Sequence, residues 1–136
     1  KEVLENNKPI LGICLGMQLL TKHSEEGNLA GLGFIDAQTK KFVLQDSSLK
    51  VPHMGWNTVS FQKESKLIQE VSENPRYYFV HSYYVECAHQ EDILCATSYG
   101  EDFVSGFQHN NIFGLQFHPE KSHKFGMELL VNFCKI

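Results

Sequence analysis

The run PILGICL (9–15) is apolar at every position, the pattern of a strand covered on both faces in a parallel sheet. Helix-compatible GMQLLTKH (16–23) follows directly. SEEGNLAGLG (24–33) carries three glycines and reads as a loop. AQTKKFVL (37–44) and NTVSF (57–61) read as strands on either side of a loop, VPHMGWN (51–57). SKLIQEV (65–71) predicts a short helix. YYFVHSYYV (77–85), rich in aromatic and β-branched residues, predicts a central strand, and ILCATSY (93–99) another. VSGFQHNNIFGLQFHP (104–119) predicts a hairpin turning at His109-Asn110-Asn111. SHKFGMELLVNFCKI (122–136) predicts a closing amphipathic helix capped by Ser122, with Phe125, Leu129, Leu130 and Phe133 on one face. There is no repeat, low-complexity tract or linker. The expectation is a single α/β domain over residues 1–136, with a mostly parallel central sheet and flanking helices.

Composition narrows the class. A chain of 136 residues suits one core, and 42% apolar with 21% charged residues is ordinary for a globular protein. The net charge of −4 and scattered basic residues, clustered only at Lys40-Lys41, argue against nucleic acid as a partner. No apolar stretch approaches the ~20 residues of a membrane helix. The first eight residues, KEVLENNK, are polar and mixed in charge, unlike a signal peptide. No methionine starts the chain, and KEVLENNKP reads as a helix end running into a strand. The chain is therefore expected to begin inside a larger domain. The cysteines Cys14, Cys87, Cys95 and Cys134 have no C-x-x-C spacing, so neither a zinc ribbon nor a thioredoxin motif is available. Cys87, Cys95 and Cys134 read as small buried hydrophobes in a reducing cytoplasm. No cofactor is expected.

Cys14 is different. Gly12-Ile13-Cys14-Leu15-Gly16 has the form G-x-C-x-G at a strand-to-helix junction. The analogous G-x-S-x-G lifts a nucleophile above a sheet on a strained turn. Glycines relieve crowding where strand and helix meet. A helix N-terminus would favour the thiolate, lowering its pKa, and the Leu15 N–H would face a developing oxyanion. The bland alternative is a buried cysteine in a glycine-punctuated strand. A thiolate acting on an amide also needs a proton shuttle. His118 ends an apolar strand and is held out of helical geometry by Pro119. Glu120, two residues on, could fix its tautomer and complete a Cys–His–Glu triad. The alternative is a surface histidine beside an unrelated acid. H-x-E also occurs in zinc deaminases, but those need a later P-C-x-x-C, and only Cys134 follows His118, so no metal is expected. His23, His89, His109 and His123 read as solvated, while His53 and His81 lie in aromatic-rich stretches.

Four stretches in order, GICLGMQLL, VPHMGWN, YYFVHSYYV and FHPEKS, resemble the class I (triad) glutamine amidotransferases. The middle two are similar to the glutaminase subunits of imidazole glycerol phosphate synthases. The resemblance implies a flavodoxin-like fold with a further strand–helix–strand segment before Lys1. That segment would carry a glycine-rich loop with a second oxyanion donor, so the chain alone is expected to lack a full oxyanion hole. The resemblance also implies roles. Cys14 attacks the side-chain amide of L-glutamine, His118 moves the protons and Glu120 orients His118. Gln18 contacts bound glutamine, Glu26 meets its α-ammonium, and the Ser82–Tyr83 backbone meets its α-carboxylate. Tyr78 lies near the exit of the glutaminase site.

Pro52, Met54 and Trp56 are costly to expose together, which suits either a docking surface or a loop folded back on its own core. The resemblance favours docking, onto a (β/α)8-barrel cyclase that uses the ammonia in histidine biosynthesis. The catalytic motifs do not separate this from a paralogous amidotransferase serving another synthase, such as one amidating surface sugars. A non-catalytic, partner-binding remnant is the alternative from a different class.

Overall fold

A computed structural model describes residues 1–136. β1 (Ile10–Ile13) runs into α1 (Leu15–Leu19), and a small β2 (His23–Ser24), β3 (Leu29–Ala30) hairpin follows. Next come β4 (Ala37–Lys41), β5 (His53–Thr58), β6 (Ser60–Phe61), β7 (Arg76–His81) and β8 (Tyr83–Cys87). β9 (Ile93–Tyr99), β10 (Glu101–His109), β11 (Ile112–Leu115) and α2 (His123–Cys134) complete the chain. The main sheet has the order β1-β11-β10-β8-β4-β2-β3, with β9 on β10 and β6 on β9. β5 and β7 form a separate two-stranded sheet. One apolar cluster, around Tyr77, Phe79, Phe103, Phe117 and Leu129, lies beneath α2, and a second, around Leu20, Ile35, Val85 and Phe107, includes Met17 of α1.

The α/β class holds, but the sheet is mixed rather than mostly parallel. Only β1–β11 and β2–β4 pair in parallel, and the other pairings are antiparallel. For β9–β10 and β10–β11 the physical reason is connection length. A parallel pair needs a crossover of a dozen residues, whereas Gly100 alone joins β9 to β10 and Asn110-Asn111 joins β10 to β11. The predicted hairpin is present, and Asn110 takes the left-handed conformation, φ 54°, that asparagine tolerates.

Other elements differ from their sequence patterns. Residues 53–56, expected as loop, are strand and form β5 with Asn57 and Thr58, paired in register with β7 so that His53 faces His81 and Trp56 faces Tyr78. The alternation is inverted there: His53 points in while Met54 and Trp56 point out, so the usual apolar-inside signal is absent. The aromatic run 77–85 is two strands in different sheets, broken at Ser82. SKLIQEV keeps only a 3₁₀ turn at Lys66–Ile68. Ser122 stands at the start of α2 without capping it, because its hydroxyl is used elsewhere. Among the cysteines only Cys95 is a buried hydrophobe; Cys87 is half-buried and Cys134 exposed. Inside α2, Gly126 is forced by contact, since a Cβ there would stand 1.7 Å from the Pro119 carbonyl oxygen. That contact seats α2 directly on the turn after His118.

The β5–β7 sheet is pinned by a buried histidine pair. His53 and His81 are 3% and 6% exposed. His81 Nδ1 lies 2.8 Å from the Tyr83 carbonyl oxygen, which only accepts, so Nδ1 carries the proton. His81 Nε2 must then accept from His53 Nδ1 at 3.0 Å. Asn57 Nδ2 in turn donates to His53 Nε2 at 3.3 Å and to Ser98 O at 3.0 Å. Both rings are neutral in this arrangement, and burial above all holds each down to about 4, against 6.5 when free. A folded-state pKa below the unfolded one gives stability that is complete above about pH 6.5 and is lost as pH falls through about 4. Urea unfolding between pH 7.5 and 4 is therefore expected to show falling stability. His53→Gln, which cannot titrate, should flatten that dependence, and an unchanged slope would count against the pair.

Candidate functional site

The site is built on the end of β1. Its partner β11 runs parallel, Ile13 opposite Leu115, and the Cys14 N–H donates to Leu115 O at 2.8 Å. The chain then turns sharply into α1. Cys14 adopts φ 54°, ψ −110°, a strained combination for a residue with a side chain, costing about 1–3 kcal/mol. Gly12 makes the turn possible. A Cβ at position 12 would stand 2.6 Å from the Gly16 carbonyl oxygen and 2.7 Å from the Met17 nitrogen. Gly16 has open space around it, so packing does not require glycine there, unlike the expectation for both.

The sulfur is half-buried. Cys14 Sγ donates to Val80 O at 3.8 Å, and Gln116 Nε2 approaches the sulfur at 3.8 Å. The thiol pKa is raised, not lowered as the helix N-terminus suggested. Burial is the largest cause and outweighs the Leu15 N–H and the Gln116 amide, both of which favour the thiolate. Glu120 raises it further and Lys121 opposes that. A five-residue helix offers too little dipole to reverse the balance.

His118 follows β11 and lies against β7. Its N–H donates to Tyr78 O at 2.9 Å. Its ring Nδ1 sits 2.9 Å and 3.3 Å from the two Glu120 oxygens. A carboxylate only accepts, so Nδ1 holds the proton and Nε2 is the nitrogen free to react. Ser122 Oγ braces this segment from below, donating to His118 O at 2.6 Å and accepting from Tyr78 N at 3.0 Å. Cys14 and His118 share no hydrogen bond here. Both lean on the same strand, Cys14 at Val80 and His118 at Tyr78.

The other expected residues divide. The Leu15 N–H, next in the chain, favours the Cys14 thiolate. Gln18 is buried, and its amide donates to Tyr83 O at 3.3 Å and Gln116 Oε1 at 3.1 Å. Ser82 and Tyr83 cross from β7 to β8, with Tyr83 O shared between Gln18 and His81. Glu26 lies exposed at the tip of the β2–β3 hairpin. Its backbone N–H bonds Ser24, its carboxylate makes no ion pair, and nothing joins it to Cys14. Pro52, Met54 and Trp56 are exposed, as the docking reading requires. The Trp56 ring stacks on His123 at 5.7 Å and meets Tyr78 edge-on at 6.2 Å. Tyr78 thus stands between that apolar face and His118. No cluster of His, Cys, Asp or Glu converges on a position suited to a metal ion.

Sequence reasoning missed Gln116 and Ser122. For Gln116 a signal was there to read: it is a lone amide inside the apolar run IFGLQF. Ser122 was noticed but given a helix-capping role.

A model of the glutamine amidotransferase class-I family matches residues 1–136. The chain is 56% identical over 135 residues to imidazole glycerol phosphate synthase subunit HisH 2 of Methanococcus maripaludis, covering 99% of this chain and 66% of that protein. It is 46% identical to subunit HisH of Leptospira borgpetersenii, over 98% of this chain, and 48% identical to HisH 2 of Pseudomonas aeruginosa, over 100% of it. It spans 67% of the length of each of those two. Among solved structures, one described as a GMP synthase component from Thermoplasma acidophilum superposes with TM-score 0.68 at 24% identity, over 93% of this chain and 56% of that one. A glutamine amidotransferase from Thermotoga maritima gives 0.64 at 22% identity, over 98% of this chain and 50% of that one. These two likenesses speak for the fold alone. The match along the full chain places this chain in the class-I glutamine amidotransferase family.

Proposed function

We propose that the chain carries the glutaminase of an imidazole glycerol phosphate synthase, hydrolysing L-glutamine to glutamate and ammonia and passing the ammonia to a cyclase partner. The observation that carries this reading is Cys14, held on a strained turn at the end of β1, with the His118–Glu120 pair on the turn that follows the adjoining β11. The identity to relatives named HisH supports this partner over that of a paralogous amidotransferase. Four unpaired thiols suit a reducing cytoplasm, and no helix is long and apolar enough to cross a membrane.

The chemistry follows from the proton positions. Because burial keeps Cys14 protonated at rest, His118 Nε2 first takes the thiol proton, and the sulfur attacks the glutamine carboxamide carbon. The Leu15 N–H meets the oxyanion that forms. His118 returns the proton to the departing nitrogen, releasing ammonia and leaving a thioester. It then takes a proton from water, which attacks the thioester; the C–S bond breaks, glutamate is freed, and the proton returns from His118 to the Cys14 sulfur. Glu120 holds the ring by Nδ1 and stabilises the imidazolium at each pass. Tyr78 lies where ammonia would leave toward the face formed by Met54 and Trp56, the surface we assign to a (β/α)8-barrel cyclase in a heterodimer.

Three groups of variants test the reading. With the cyclase partner present, Cys14→Ser is expected to release no glutamate while binding the partner as before. Appreciable turnover would sink the assignment of the nucleophile. His118→Ala is expected to slow glutamate release more than Glu120→Gln, since one group moves the proton and the other only orients it. The opposite order would mean the roles are exchanged. Trp56→Ala is expected to weaken association with the cyclase by ~2 kcal/mol or more. The isolated protein should lose little stability, because the indole is 47% exposed. Calorimetric titration and urea unfolding separate the two effects. Strong destabilisation with unchanged affinity would return Trp56 to a packing role.

A further inference from the structure

Gln116 is fully buried at the end of β11, where no core residue needs an amide. Burying an amide without partners is costly, so its partners define its purpose. They are Gln18 and Cys14. The donor order along this chain of contacts is set from its far end. Tyr83 O is a carbonyl and only accepts, so Gln18 must turn its NH₂ toward it. The same NH₂ then faces Gln116, which must answer with Oε1. That leaves Gln116 Nε2 for the sulfur. A backbone carbonyl two residues beyond β7 thus dictates that a donor, not an acceptor, meets Cys14. His81 donates to the same carbonyl and holds it in place.

We propose that Gln116 is a positioning residue for Cys14, its buried amide locked by Gln18 and Tyr83 so that an N–H is presented to the sulfur. This rests on Cys14 being the nucleophile. The donor serves two ends. It restricts the rotamer of a side chain whose backbone is already strained. It also stabilises negative charge on sulfur in a site where burial opposes it. The charged groups acting on the sulfur are Glu120 and Lys121, both from the turn after β11, and neither α1 nor β7 contributes one. They oppose each other, which leaves the amide as a neutral and permanent donor.

The test reads the thiol directly and does not require turnover. Purified protein is alkylated with iodoacetamide from pH 6 to pH 10, and each cysteine is quantified by mass spectrometry. Gln116→Met keeps the length and removes the donor. Cys14 alkylation at pH 7.5 is expected to fall about tenfold, with its pH profile displaced upward by about one unit. Cys134, which is exposed, should be unaffected, and Cys95, which is fully buried, should stay protected. Gln18→Leu leaves Gln116 in place but frees its amide to rotate, and should move the Cys14 profile in the same direction by less. In steady-state assays with the partner, kcat should fall in both variants, with KM changing little for Gln116→Met. An unmoved Cys14 profile in both variants overturns the proposal. So does labelling of Cys95 in both, which would make the pair a packing element. Absence of glutamate release by the unaltered protein would instead count against the glutaminase reading and leave the alkylation result standing.

Discussion

Ile13 pairs with Leu115, and from that single parallel register the site follows. Because β1 and β11 run the same way, their next residues leave the sheet at the same end. On one strand that is Cys14; on the other it is Gln116, then His118 and Glu120. A shift of one residue would turn Cys14 to the opposite face and separate it from the histidine turn. Gly12 protects the register from the other side. No larger residue would let α1 fold back so closely over β1, and Gly126 does the same for α2 against Pro119. Two close backbone approaches therefore fix the two halves of the site.

The electrostatics of Cys14 are a balance between burial and donors. Burial prevails in the resting state, so the sulfur is held as a thiol, while Glu120 on Nδ1 leaves His118 Nε2 without a partner. The polar groups around the sulfur form a continuous line, from Asn57 through His53, His81, Tyr83, Gln18 and Gln116 to Cys14. Every member has its partner, which is how so many polar side chains can sit inside an aromatic core. The line ends at β5, the strand that carries Met54 and Trp56 outward.

β5 and β7 tie that outer face to the chemistry by simple adjacency. Trp56 faces Tyr78 across the two-stranded sheet, and the Tyr78 carbonyl receives the His118 N–H. Ser122 clasps the same two residues from the other side. A partner resting on Trp56 would therefore press on a strand one hydrogen bond from His118.

By itself the sequence determined the local geometry that close spacing encodes. G-x-C-x-G requires a tight turn and His-Pro-Glu places an imidazole and a carboxylate two residues apart beyond a strand; the turn at Cys14 and the His118–Glu120 contact are both present, although Gly16 is not needed for packing. The β10–β11 hairpin and α2 were legible for the same reason, since their periodicity and turn residues act within a few positions. Tertiary structure decided what depends on partners far along the chain. The direction of each strand pairing could not be read from apolar runs that look alike in parallel and antiparallel sheets. Residues 53–56 hid a strand because their apolar side chains face outward and a histidine faces in. The pKa of Cys14 rose because burial, which no motif records, outweighs a short helix. Gln116 gained its place at the sulfur only through a carbonyl 33 positions away in sequence, at Tyr83.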